Sequence, residues 1–156
     1  MDLQVAMELL EERLERTGLK ALGWTAGWDR ARQRFGACWP QRKRITLSRL
    51  LTELNEEAHV LDTILHELAH ALTFERHGRV RSHGKEWRAI AEALGASTNA
   101  RTQTGRLPPG RFALAHRQTG EVFRTFQRKP RRLDYRGRYI RGRKAETLNQ
   151  LVVIEL

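Results

Sequence analysis

A chain of 156 residues, 40% hydrophobic and 30% charged, has the makeup of one globular domain with room for a small appendage. It has no run of eighteen apolar residues, no basic-then-apolar start after Met1, and a single cysteine, Cys38; a membrane span, a secretory signal, a disulfide and a multi-cysteine zinc module are therefore not expected, and a cytoplasmic location is. The net charge of +11 is concentrated, because residues 1–100 carry 15 Lys/Arg against 14 Asp/Glu whereas residues 101–144 carry 14 against 2.

Leu3, Met7, Leu10 and Leu14 recur at helical spacing and predict an amphipathic helix stopped by Gly18. Residues 22–28 alternate like a strand, and residues 34–39 and 44–47 look like its neighbours, with turns at Gly36 and Pro40; a small three-stranded antiparallel sheet is expected. Ser48 caps a short helix over Leu50, Leu51 and Leu54. A long helix then runs from Glu56 to about Phe74 and closes near Gly78. Its apolar positions cover most of its circumference, so it reads as a core helix. Residues 84–94 form a further helix with Trp87, Ile90, Ala91 and Leu94 on one side and Gly95 as its stop.

Residues 96–110, rich in Ser, Thr, Asn, Gly and Pro, read as a linker, possible lid included. Residues 112–116 and 121–126 flank Gln118-Thr119-Gly120 as a hairpin would, and residues 135–140 and 151–154 are strand-like. The chain thus divides into a core, residues 1–98, and a basic β-rich region, residues 99–156. The fold class is α+β. The basic region would attract a polyanion, with nucleic acid ahead of anionic lipid or a merely solubilising role. Arg128, Lys129, Arg131, Arg132, Arg141 and Arg143 are the candidate phosphate contacts. Trp24, Trp28, Trp39 or Phe126 are candidates to stack on exposed bases, core packing being the rival role for at least half of them.

The chemistry-bearing stretch is His66-Glu67-Leu68-Ala69-His70 on the long helix. Imidazoles four residues apart lie one above the other on a helix and can grip one metal ion, and Glu67 can take the proton of a water on that ion. On a buried helix such groups need partners, since an unpaired polar group there costs several kcal/mol. A catalytic zinc asks for a third ligand. His77 is about 10 Å along the axis from His70 and too far. His83 is better placed, because Gly78 lets the chain turn and residues 79–82 give it length to return, with Gly84 permitting close approach to the long helix; Glu86 and Glu92 are its rivals. His59 and His116 have no comparable setting and read as surface residues.

Together with Gly23-Trp24, Trp28, residues 34–38 and 45–48, and His83-Gly84-Lys85-Glu86-Trp87, this motif resembles the SprT-like metalloprotease family, which includes DNA-dependent proteases of the Spartan type. The resemblance implies a minimal zincin-like core in which a small sheet packs beside the active-site helices. It also implies His83 as third ligand to one catalytic Zn²⁺ with His66 and His70, and Glu67 as general base and acid. Relatives often carry a four-cysteine zinc ribbon after the core, whereas this chain has no cysteine beyond residue 38, so its basic region looks like a ribbon without metal ligands. The implied partners are DNA, single-stranded or damaged, and proteins bound or crosslinked to it, with a nucleoid-associated place in a bacterium. Arg81, Lys85 and edge-strand backbone are candidates to stabilise an oxyanion. The competing readings are a nucleic-acid-binding protein with a structural zinc and a zinc peptidase indifferent to DNA.

Overall fold

The computed structural model describes residues 1–98 and 105–156, which form two compact units, Met1–Pro108 and Pro109–Leu156. Residues 99–104 of the expected linker, and with them the expected boundary after residue 98, lie outside the described residues. Both units mix helices with a small three-stranded sheet, an α+β architecture. Among the described residues no helix is long and apolar enough to cross a membrane.

The first unit opens with helix α1 (Leu3–Arg16), whose Asp2 cap accepts the Val5 N–H at 3.0 Å and whose Ala6, Leu10 and Leu14 are fully buried. The expected strand at 22–28 starts later, because Lys20–Leu22 is a 3₁₀ turn closed by Gly23 in the left-handed region; β1 is Thr25–Asp29. Next come β2 (Gly36–Trp39) and β3 (Arg44–Ser48), joined by a tight turn through Pro40–Arg42. The sheet order is β1-β3-β2, with β3 antiparallel to β2 but parallel to β1. An all-antiparallel sheet was the expectation. Residues 30–35 hold β1 and β2 one strand apart, and β3, returning from the hairpin, fills that gap in the same direction as β1. Gly36, expected in a turn, is the first residue of a strand.

Ser48 ends β3 and caps α2 (Arg49–Leu54), accepting the Leu51 N–H at 3.1 Å. Helix α3 (Glu57–His77) follows, with every residue from Thr63 to Ala69 buried, and Gly78 ends it. Helix α4 (Lys85–Leu94) buries Trp87, Ile90 and Ala91 and stops at Gly95, which takes the left-handed conformation that lets its N–H reach back to the last carbonyls. Leu10 and Leu14 of α1, Trp24, Ile45 and Leu47 of the sheet region, Ile64 and Leu68 of α3 and Trp87 of α4 belong to one core. α3 therefore lies at the centre of this unit, with α1, the sheet and α4 packed against it.

In the second unit β4 (Phe112–His116) and β5 (Val122–Phe126) form the expected hairpin, and β6 (Leu151–Glu155) pairs antiparallel on the other edge of β4, giving the order β5-β4-β6. A one-turn helix, α5 (Lys144–Thr147), precedes β6. The strand expected at 135–140 is absent. Its backbone is claimed locally instead: Arg138 N–H binds the Tyr135 carbonyl, Gly137 N–H the Asn149 side chain, and Ile140 N–H the Thr147 hydroxyl, with Gly137 at positive φ. His116, expected at the surface, is buried. Its Nδ1 accepts the Gln118 and Thr119 N–H groups and its Nε2 donates to the Glu146 carbonyl, so it is a neutral imidazole tying the hairpin turn to α5. His59 is likewise half-buried, edge-on to Phe35 at 4.4 Å.

Candidate metal centre

The i, i+4 spacing on α3 stacks His66 and His70 on one face, and their Nε2 atoms are 3.3 Å apart. His83 comes from the connection between α3 and α4. A tight turn closed by Gly84 N–H to the Arg81 carbonyl (3.0 Å) puts His83 at φ +55°, a left-handed conformation uncommon outside glycine. That turn brings the His83 Nε2 to 3.0 Å from His70 Nε2 and 3.1 Å from His66 Nε2. The close approach at Gly84 is to this turn rather than to α3, since a Cβ there would meet the Arg81 carbonyl oxygen at 2.9 Å.

Three ring nitrogens in a triangle cannot satisfy one another by hydrogen bonding. Each offers either one proton or one lone pair, so at least one edge sets like against like. A cation resolves the conflict by taking all three lone pairs. Tetrahedral Zn–N bonds put ligand nitrogens about 3.3–3.4 Å apart, close to what these three show. The donor set fits a metal ion, and among the described residues no fourth His, Cys, Asp or Glu joins it. Burial, and then the neighbouring imidazoles, lower His66 to about 4 and His70 to about 3, and burial lowers His83 too; all three are neutral at pH 7, as metal ligation requires. The rivals are elsewhere: His77 and Glu92 are exposed, and Glu86 stands near Lys85.

Glu67 faces the same space from the buried side of α3, 9% exposed. Burial pushes its carboxyl up to about 7 against the pull of the Arg34 charge and a hydrogen bond from the Cys38 N–H. A cation on the triad would lower it again. Gly36 leaves room for it. Trp87, fully buried, backs the centre, with its ring 4.6 Å from His83, 4.8 Å from His66 and 5.3 Å from His70. Glu67 and the three histidines line a cleft of about 580 Å³ between β2, α3 and the α3–α4 connection. Arg81 lines it, as the oxyanion candidates required; Lys85, 92% exposed, does not. Arg34, Gly36 and Trp87's contact with all three imidazoles carry no local sequence signal of their role. The first two depend on which strand lies over α3, and the third on how α4 packs back against it.

The candidate phosphate contacts divide. Arg128, Lys129, Arg131, Arg132 and Arg141 are exposed and make no ion pair with a described residue. Arg143 is held by Glu121 and Glu146 and lies over the Phe123 ring. Of the stacking candidates, Trp24 is buried with its Nε1 on Glu75, Trp28 packs against the core, Trp39 is 41% exposed, and Phe126 lies under Arg124.

Comparison with known proteins places the sequence in a family. The sequence model of the SprT-like family matches residues 4–107, and the chain belongs to that family. It is 33% identical over 95 residues to Protein SprT of Pectobacterium carotovorum, covering 58% of this chain and 56% of that one. Protein SprT of Vibrio parahaemolyticus is 42% identical over 65 residues, 41% of this chain and 39% of its own length. Protein SprT of Escherichia coli is 33% identical over 99 residues, 58% of each. The matched segments thus span little more than half of these relatives at most.

Proposed function

We propose that this chain is a zinc-dependent endopeptidase with a zincin-like core, acting on proteins bound or crosslinked to DNA. The observation that carries the reading is the position of Glu67: next to His66 in sequence and lining the same cleft as the three-nitrogen triangle. A structural zinc is usually closed by four protein donors, and three with an adjoining cleft favour chemistry over scaffolding. His66, His70 and His83 would hold the ion through neutral Nε2 atoms. Zinc bound there supplies Lewis acidity, acidifying a water and polarising a carbonyl. Glu67 takes the proton of the attacking water and returns one to the leaving amine, its carboxylate aimed by the Cys38 N–H.

The DNA part rests on the charge of residues 101–144 and on the free cations of the second unit. Phosphate neutralisation by several of them makes binding strongly salt-dependent. A single-stranded or damaged strand is the favoured form, since exposed bases can stack where a duplex offers none.

The test uses purified protein with one equivalent of zinc, a DNA-bound protein substrate and the free substrate. Cleavage that Glu67→Gln abolishes while keeping its zinc supports the peptidase, and stimulation by single-stranded DNA at low salt supports the DNA part. Equal turnover with and without DNA leaves a peptidase indifferent to nucleic acid. If neither the substrate nor the protein itself is cut, and Glu67→Gln behaves like the parent, the peptidase reading is wrong.

A further inference from the structure

Glu67 is the only acidic side chain among the described residues lining the cleft, against three arginines: Arg34 before β2, and Arg79 and Arg81 after α3. Arg79 and Arg81 are exposed and pair with no described residue. Arg34 differs, because a closed ring of contacts fixes its guanidinium. Its Nη2 donates to Asp29 Oδ2 at 2.8 Å, and the Thr46 hydroxyl donates to the same oxygen at 2.8 Å. Trp39 Nε1 donates to that hydroxyl at 3.2 Å, and the Trp39 ring lies 5.5 Å beneath the guanidinium carbon. Asp29 is itself anchored by the Ala31 N–H at 2.9 Å. One of five guanidinium donors is thereby used; no described residue takes the others. A planar fork tethered at the wall of a cleft, half exposed and with most of its donors open, is predisposed to meet a carboxylate, because part of its ordering entropy has been lost on folding rather than on binding.

We propose that the cleft selects acidic polypeptide segments, with Arg34 as the residue that takes a substrate Asp or Glu carboxylate and Arg79 and Arg81 adding a long-range bias toward the same charge. The assignment rests on the peptidase reading, since it names the substrate of that site. Two positive walls would repel a Lys- or Arg-rich segment at low salt and release that discrimination as salt rises.

The experiment uses the zinc-loaded chain and unstructured peptide substrates that differ only in carrying Glu, Gln or Lys near the cut bond. The expected kcat/KM for Glu peptides is about three- to tenfold above that for Gln peptides and higher still above Lys peptides, the gap closing in 0.5 M salt (about a 4 Å Debye length). Arg34→Gln brings Glu and Gln peptides to parity, Arg34→Lys keeps part of the preference, and Arg34→Glu inverts it toward Lys peptides. Arg79→Glu with Arg81→Glu weakens the preference without touching Asp29. Equal rates on Glu and Gln peptides, or a ratio unmoved by both Arg34→Gln and Arg34→Glu, overturn the inference alone. Failure to cut any of the three overturns the peptidase reading with it. Inhibition of Gln-peptide cleavage by a short single-stranded oligonucleotide, abolished by Arg34→Gln, would assign these arginines to phosphate and overturn their assignment to a carboxylate.

Discussion

Gly36 and Glu67 meet at the point where β2 crosses α3: a Cβ on Gly36 would lie 2.9 Å from Glu67 Cγ and 3.3 Å from its Oε1. Two residues further along the strand, the Cys38 N–H faces the same carboxylate and favours its charged form. The strand thus makes room for the glutamate with one residue and aims it with another. The carboxylate's position is a property of the strand as much as of the helix that carries it.

Gly36→Ala is therefore expected to displace the Glu67 side chain without touching the three histidines. A displacement of about 1 Å at a reacting group costs on the order of 10²-fold in rate. Zinc content should stay at one equivalent while kcat falls by about that factor, as read by steady-state kinetics beside metal analysis. An unchanged kcat would mean that Thr63, whose Cγ2 would also be 2.9 Å away, gives way instead.

Removing the metal should destabilise the first unit. Binding to the folded state alone contributes about 4 kcal/mol at a free concentration a thousandfold above Kd. In a domain of about 100 residues each kcal/mol moves the midpoint by roughly 4–8 °C. A chelator should lower the melting temperature of the parent chain by at least 10 °C and leave His83→Ala, with two ligands left, almost unmoved. Equal drops in both would remove His83 from the ligand set.

Asp62 stands one helical turn before His66, and its charge acts on that imidazole. With a metal on Nε2, His66 must carry its proton on Nδ1, which is buried and has no hydrogen-bond partner among the described residues. The Asp62 carboxylate favours that arrangement through its charge alone, without a hydrogen bond to Nδ1. Asp62→Asn should weaken zinc binding by about threefold in a competition titration, less than loss of a hydrogen-bonded outer partner would. Asp62 Oδ1 also accepts the Ser97 N–H at 2.7 Å, so a loss of thermal stability with unaltered affinity would limit its role to that tether.

What could be read beforehand was what local geometry dictates. Two histidines and a glutamate on a helix need only the 3.6-residue period, and Ser48, Gly78 and Gly95 mark boundaries through their own backbone and side-chain chemistry. The length of residues 79–82 favours His83 but leaves Glu86 and Glu92 as alternatives, because a loop's length does not say where it turns. The parallel pairing of β1 with β3 was invisible, since alternation tells which face a residue occupies and not which strand lies beside it. Gly36 and the buried His116 share that cause, each acquiring its role from a neighbour distant in sequence, Glu67 in the first case and Glu146 in the second.

Trp87 tests whether the triad is shaped by its backing as well as by its own helix and turn. The indole touches all three imidazoles at 4.6–5.3 Å and is fully buried, while its Nε1 has no partner among the described residues. Truncation to alanine opens a cavity behind the ligands and should cost about 3–5 kcal/mol, read as a lower urea midpoint with an unchanged slope. Phenylalanine gives up no hydrogen bond here and keeps an aromatic edge, so its cost should be nearer 1–2 kcal/mol. Zinc affinity is the discriminating measurement. If the ring holds the imidazoles at their 3.0–3.3 Å spacing, Trp87→Ala weakens binding while Trp87→Phe stays close to the parent. If Trp87→Ala binds zinc as the parent does, the ring only fills the core, and the left-handed turn at His83 sets the geometry by itself.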